Sequence, residues 1–343
     1  MSTIQDVARA AGVSPMTVSR VFRGASYVRE ETRQRVLEAA AELNYVPNAV
    51  ARSLRQSRSG LLAFIIPDIK NPLFYHMARG AEDAAHAAGM AMVLGNSEDE
   101  PAMEARYLQS MAEHRVDGIL LVPTATTKAT DIPILPACVD LLLLDRRPPG
   151  VEATLVSCDI ATATSELCRH LIALGHRRLA LVGGIPEVQT WRDRVVGYEE
   201  ALREAGLAID PDLITTGNYR AEAGVEGVRH LMRLPEPPDV IIAASTQVLI
   251  GVLDELAVLE LAIPGDISVC SVDDPGFPAF IRPRFTHVVQ PGYEMGAEAV
   301  RLLMEGIQAG GSTPTNRVLP ASLVIGDSCG ELLPKPQGAV LAP

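Results

Sequence analysis

Apolar residues recur along this chain with two different rhythms. Up to Gly60 the rhythm is helical. Ile4, Val7, Ala8 and Ala11 share one face, with Thr3 placed to cap the helix and Gly12 to break it. Ser14 is placed to cap a second helix whose first position is Pro15, where a missing N–H costs nothing. Val18 and Val21 give that helix its inward face, which leaves Pro15, Met16 and Arg20 toward water. A third helix is predicted over 30–44, burying Val36, Leu37, Ala40 and Leu43 and stopped by Tyr45 and Pro47.

From Leu61 the rhythm becomes short apolar runs separated by helical stretches. "LLAFIIPD", "MAMVLGN", "DGILLVPT" and "DLLLLDRR" read as strands, with helices over 74–88 and 103–114. The series then restarts. Helices over 166–174, 195–205, 221–232 and 248–259 alternate with "RLALVGG", "DVIIAAS" and "ISVCSVDD". Such an alternation implies parallel sheets covered on both faces, with ligands bound beyond the carboxyl ends of the strands. Two sets imply two similar lobes with a cleft between them. The end of the chain, "GGSTP" and then "KPQGAVLAP", is rich in Gly and Pro, and residues 331–343 carry no predicted element.

Composition narrows the class. A length of 343 residues with 48% hydrophobic content allows more than one domain and a large core. No apolar run approaches the ~18 residues of a spanning helix. No basic-then-apolar leader precedes the helices, so a cytoplasmic location is expected. The five cysteines are scattered without a C-x-x-C, which predicts reduced core thiols, and the seven histidines lack metal-ligand spacing. Neither a metal nor a cofactor is expected. The net charge of −12 hides an asymmetry: residues 1–59 hold nine arginines and five acids, a net +4, so the remainder carries −16. A basic head on an acidic body is the pattern expected if only the head meets phosphate.

The segments "TIQDVARAAGVSPMTVSRVFRG", "VREETRQRVLEAAAELNYVPNAVARSLR", "IIPDIKNPLF", "VDGILLVP", "LGHRRLALVGG", "IPGDISVCSVDD" and "VVQP" run along nearly the whole chain. Together they resemble the lactose-repressor (LacI/GalR) family of bacterial transcription regulators. The resemblance implies an all-α helix-turn-helix head with a hinge helix, joined to a two-lobed α/β effector domain like a type I periplasmic binding protein. The implied parts are a head over 1–47, a hinge over 48–59, a first lobe from 60–158 plus about 289–318, a second lobe from 159–288 plus about 319–330, and a flexible tail over 331–343.

In a helix-turn-helix the second helix enters the major groove with its N-terminal residues on base edges. Pro15 and Met16 lie at that tip and offer apolar contact, for example to a thymine methyl; Arg20, one turn on, suits either guanine O6/N7 or a phosphate. Ser14, Thr17 and Ser19 suit phosphate oxygens, and Thr3 is counted with them on the DNA side. "NAVARSLRQ" looks like the family's hinge, a short helix that forms on operator DNA. There Leu54 matches the wedge between central base steps, Ala51 permits close approach, and Asn48, Arg52 and Arg55 can hold phosphate or groove edges. So short a helix is marginal alone, so the resemblance implies a homodimer, or a tetramer, on palindromic operator DNA. No heptad-like tail follows residue 330, which disfavours a coiled-coil tetramer.

The same resemblance implies an effector cleft. Leu73, Phe74, Thr124, Asp145 and Arg146 are its expected groups from the first lobe; Asp159, Thr190, Arg192, Arg194, Tyr219, Ser245 and Asp273 are those from the second. Bland roles compete: Phe74 and Tyr219 as core, Asp145 as a loop cap, Arg192 as a solvated helix-start residue. Two departures bear on the ligand. Ser245-Thr246 stands where many sugar-responsive relatives have Asn-Asp, and Ile160 follows Asp159 where Asn is usual. With Arg146, Arg192 and Arg194 near the ligand, a sugar acid or sugar phosphate is expected ahead of a neutral sugar. The chain has no G-x-x-x-x-G-K-[ST], no G-x-S-x-G and no H-E-x-x-H to suggest an enzyme. A secreted solute binder would need a leader and no basic head. An activator or a corepressor-dependent regulator stays open beside a repressor.

Overall fold

The structure is a computed structural model that describes residues 2–22, 27–46, 58–136, 139–277, 280–310 and 313–331. It divides into two compact units, Met1–Ser59 and Gly60–Pro343.

The first unit holds three helices, α1 (Ile4–Ala10), α2 (Pro15–Phe22) and α3 (Glu30–Glu42). Thr3 starts α1 through a reciprocal cap: its Oγ1 accepts from the Asp6 N–H at 3.3 Å, and its own N–H donates to Asp6 Oδ2 at 2.9 Å. Hydrogen bonds from Thr3 hold the Asp6 carboxyl below its ordinary value. Gly12, at φ +63°, supplies the left-handed turn that ends α1. Ser14 Oγ then accepts the Thr17 N–H at 3.1 Å to open α2. Val7, Ala8, Ala11, Val18, Val21, Val36, Ala39 and Ala40 close a small core. Leu37 is a correction, since it is exposed and Ala39 is buried in its place. Val36, Ala39, Ala40 and Leu43 make the i, i+3, i+4, i+7 stripe, and Leu37 falls beyond its edge.

The second unit is built on two six-stranded sheets. In the first, β1 (Leu61–Ile66), β2 (Ala91–Asn96), β3 (Gly118–Leu121), β4 (Asp140–Leu144), β5 (Thr154–Cys158) and β11 (Asn316–Leu319) lie in the order β11-β5-β4-β3-β1-β2, all parallel. In the second, β6 (Leu179–Val182), β7 (Ile214–Thr215), β8 (Val240–Ala243), β9 (Ser268–Val272), β10 (Thr286–Val289) and β12 (Ser322–Val324) lie in the order β12-β10-β9-β8-β6-β7, with only β12 antiparallel to its neighbour. Central strands such as β3, β6, β8 and β9 are buried from end to end, as a sheet covered on both faces requires.

The covering helices are α4 (Pro72–Ala87), α5 (Pro101–Glu113), α6 (Ile160–Ala173), α7 (Gln189–Glu204), α8 (Ala221–Leu231), α9 (Thr246–Val258) and α10 (Gly292–Ala309). The chain passes between the sheets three times: after β5, after β10 and after β11. After β10 it returns as α10, whose Met295, Ala299, Val300 and Leu303 pack with α4 onto the first sheet. Below the second sheet, the half-buried Asp239 accepts backbone N–H bonds from Arg177 and Arg178 and faces His176 Nδ1 at 3.1 Å, which fixes the "LGHRR" entry to β6. Among the described residues no helix is long and apolar enough to cross a membrane. Cys158, Cys168, Cys270 and Cys329 are free thiols.

Candidate nucleic-acid interface and effector cleft

On the head, α2 turns Val18 and Val21 inward and leaves Ser14, Pro15 and Met16 exposed, Met16 at 61%. A large apolar side chain left in water at a helix start has no packing role there. Thr17, Ser19 and Arg20 are half-buried beside it. Ser14 and Thr17 share a hydroxyl–hydroxyl bond of 2.9 Å, so capping already uses part of their capacity. The Arg20 guanidinium lies 5.5 Å from the centre of the Tyr27 ring, which is itself 71% exposed. Tyr27 was not expected from the sequence; an aromatic in a polar inter-helix loop was the available signal. Thr3, exposed, spends its side chain on the α1 cap. Asn48, Ala51, Arg52, Leu54 and Arg55 lie outside the described residues.

In the body, a cavity of about 360 Å³ opens at the carboxyl ends of the strands, with walls from both sheets. Leu73, Phe74, Asp145 and Arg146 line it from the first sheet's side, and Thr190, Arg194, Tyr219, Ser245 and Asp273 from the second's. Each is placed by a local device. Asn71 caps α4, accepting from the Leu73 N–H at 3.0 Å, which sets Leu73 and Phe74 at the cavity. Asp145 adopts φ +66°, so that the chain turns sharply after β4 and two consecutive side chains reach the cavity. Ser245 caps α9 through the Val248 N–H at 3.3 Å.

Three expected residues are elsewhere. Thr124 donates its N–H to Glu104 Oε2 at 2.7 Å and shares a 2.7 Å bond with Thr127, inside a buried network behind the cavity. Asp159 caps α6 by accepting the Thr162 N–H at 3.1 Å. Arg192 is exposed and donates to the Glu187 carbonyl at 2.7 Å. The reason for Arg192 is geometric: it stands two residues from Arg194, on the opposite side of α7, whereas Thr190 and Arg194 are four apart and share a face. Residues missed by sequence reasoning include Asp68, Lys70 and Asn71 after β1, Glu98 and Asp99 after β2, and Arg220 and Glu222 before and within α8. Their position just past strand ends was the usable signal.

The electrostatics are unusual for so buried a place. Burial pushes the Asp273 carboxyl up to about 7, against the pull of Arg194 and of a 2.6 Å bond from Gln290. Burial likewise raises Glu104, though Thr127 and the Thr124 N–H bond it. Asp145 and Arg146 pair at 3.5 Å. The Arg194 guanidinium donates to the Thr190 carbonyl at 2.8 Å and lies 6.0 Å from the Tyr219 ring centre. Arg146 Nε, Arg194 Nε and Tyr219 Oη are buried without a hydrogen-bond partner, the hydroxyl lying beside Thr190 short of bonding geometry. At the mouth, Arg220 donates across the cleft to the Glu98 carbonyl at 3.3 Å, where Glu98 and Asp99 are both left-handed, at φ 54° and 59°.

A helix-turn-helix head on a body of two parallel sheets with a cleft at their strand ends is the architecture of a DNA-binding regulator with a periplasmic-binding-protein-like domain. The family model for bacterial regulatory proteins of the lacI family matches residues 3–48, and that for the periplasmic binding protein-like domain matches 168–329. The transcriptional regulator RegA of Clostridium saccharobutylicum is 32% identical over 94% of this chain and 98% of its own length. The Lac repressor dimer bound to operator and the anti-inducer ONPF superposes with a TM-score of 0.82 at 26% identity, covering 96% of this chain and 99% of that one. The CelR–cellobiose complex gives a TM-score of 0.70 at 29% identity, over 96% of this chain and 100% of that one. This chain belongs to the lactose-repressor family and is a DNA-binding transcriptional regulator.

Proposed function

We propose that the chain is a homodimeric repressor whose hold on a palindromic operator is set by a small polyhydroxylated effector, a sugar, sugar acid or sugar phosphate, bound between the lobes. The observation that carries the reading is the set of buried donors left unpaired in the cleft. Leaving such groups dry costs about 1–3 kcal/mol each, so a ligand that supplies acceptors gains by filling the site. The Lac repressor binds operator as a dimer and CelR binds cellobiose, which supports carrying both partner classes to this chain. An effector that prefers one lobe arrangement shifts operator affinity by linkage, and its preference decides whether it induces or corepresses.

The test is operator affinity with and without ligand, on a palindrome selected from random duplexes. Arg20→Ala is expected to weaken binding to that palindrome about tenfold or more beyond its effect on random DNA. Equal losses on both would make Arg20 a phosphate contact only. Leu54→Ala is expected to reduce the bend in the bound operator, and an unchanged bend angle would remove the wedge role.

A further inference from the structure

Within the cleft, the unpaired groups are all hydrogen-bond donors that come from both lobes. Arg146 follows β4 in the first lobe; Arg194, on α7, and Tyr219, before α8, belong to the second. Both guanidiniums act electrostatically on the Tyr219 hydroxyl, so the three donors converge on one region. The deep carboxylates are already engaged, Asp145 by Arg146 and Asp273 by Gln290. What the region lacks is therefore an acceptor that carries charge.

The size of that charge follows from the neighbours. Two guanidiniums face Asp145 and an Asp273 that burial leaves only about half ionised at neutral pH. The surplus is positive but smaller than two charges. It matches a monoanion, and a phosphate dianion would leave uncompensated charge in a desolvated site. This positive floor lies in a body whose residues 60–343 carry a net −16, so it is a local arrangement against the general field. The remaining lone pairs of Asp145 and Asp273 can accept from hydroxyls.

Building on the effector reading above, we infer that the effector is a polyhydroxylated monocarboxylate, its carboxylate held by Arg146 of the first lobe together with Arg194 and the Tyr219 hydroxyl of the second. One anion then ties both walls of the cleft, and its binding favours the closed arrangement. Arg146 is the residue that distinguishes a sugar acid from its parent sugar.

The test uses the full chain, with thermal stabilisation and operator affinity as readouts. The probes are gluconate, galactonate and glucuronate, each beside its parent aldose and the aldose 6-phosphate. At least one acid is expected to bind about tenfold or more tightly than its matched aldose and phosphate. Arg146→Gln is expected to remove that preference while leaving the aldose affinity unchanged. Tyr219→Phe, which deletes one hydroxyl and keeps the ring, is expected to weaken the acid alone. Preference for an aldose or a phosphate, equal losses for acid and aldose in both variants, or no stabilisation by any acid would each overturn the inference. Selective operator binding by the unliganded chain is scored separately. Its loss sinks the regulator reading, whereas its presence with no acid response sinks only the assignment of the ligand.

Discussion

Asp273→Asn is expected to abolish the effector response, leave unliganded operator binding intact, and raise the melting temperature at pH 8. The groups around Asp273 are Arg194 from α7, Gln290 after β10, Asp145 after β4 and the adjacent Asp274. Burial outweighs the two favourable contacts and lifts the carboxyl from 3.8 to about 7. The folded chain therefore holds this proton more tightly than the unfolded chain. Stability is lost as pH rises from about 4 to about 7, and the full penalty, up to about 4 kcal/mol, is present above that range. Asparagine keeps an oxygen for Gln290 and carries no charge, so the penalty disappears. A chain that retains so costly a group where a ligand would meet it trades stability for binding. Thermal melts of both proteins between pH 5 and 8, with effector titrations on operator, check this; a lower melting temperature for the variant at pH 8, or a surviving response, would refute it.

Gly296→Val is expected to unfold the body or shift its denaturant midpoint sharply. Along α10, a Cβ at Gly296 would fall on the carbonyl oxygen of Met77 in α4, and one at Gly80 of α4 would fall on the carbonyl of Tyr293 in α10. The two helices thus approach through reciprocal glycines, backbone against backbone, with no flexible side chain to move aside. Ordinary overpacking costs about 1–3 kcal/mol; contact with a fixed backbone should exceed it. Gly89→Ala is the comparison: that site has open space and a left-handed φ of +73°, so only a strain of about 1–2 kcal/mol is expected. Equal midpoints for the two variants would mean that α10 does not need this close approach.

The same glycines explain part of what was hard to read in the sequence. The alternation of strands and helices from β1 to β9 was visible because β-branched and Leu-rich runs stand out from their surroundings. α10 was not among the predicted elements, and three of its seven buried residues are Gly292, Gly296 and Gly306, which pattern reading treats as breakers. β5, β7, β10, β11 and β12 are short and were missed as well. α7 begins at Gln189, earlier than the expected 195, because its first two turns look polar. That polarity is the cleft: Thr190 and Arg194 face it, so the signal that hid the helix marked the site. α6 likewise begins at Ile160, since Thr and Ser obscure the turns that Asp159 caps. In the cleft, local motif matching found positions whose side chains follow strand ends directly. It could not see that Glu104, twenty residues earlier, holds Thr124 behind the wall.

The three passages between the sheets are each only one or two residues long: Asp159, then Gln290 and Pro291, then Pro320 and Ala321. Tethers that short do not let one half slide across the other, since any translation would stretch at least one of them. What remains is a swing about the line joining them, much as a door moves on three pins. A metabolite wedged at the opening is thereby converted into an angle, and an angle loses nothing with distance along a stiff body.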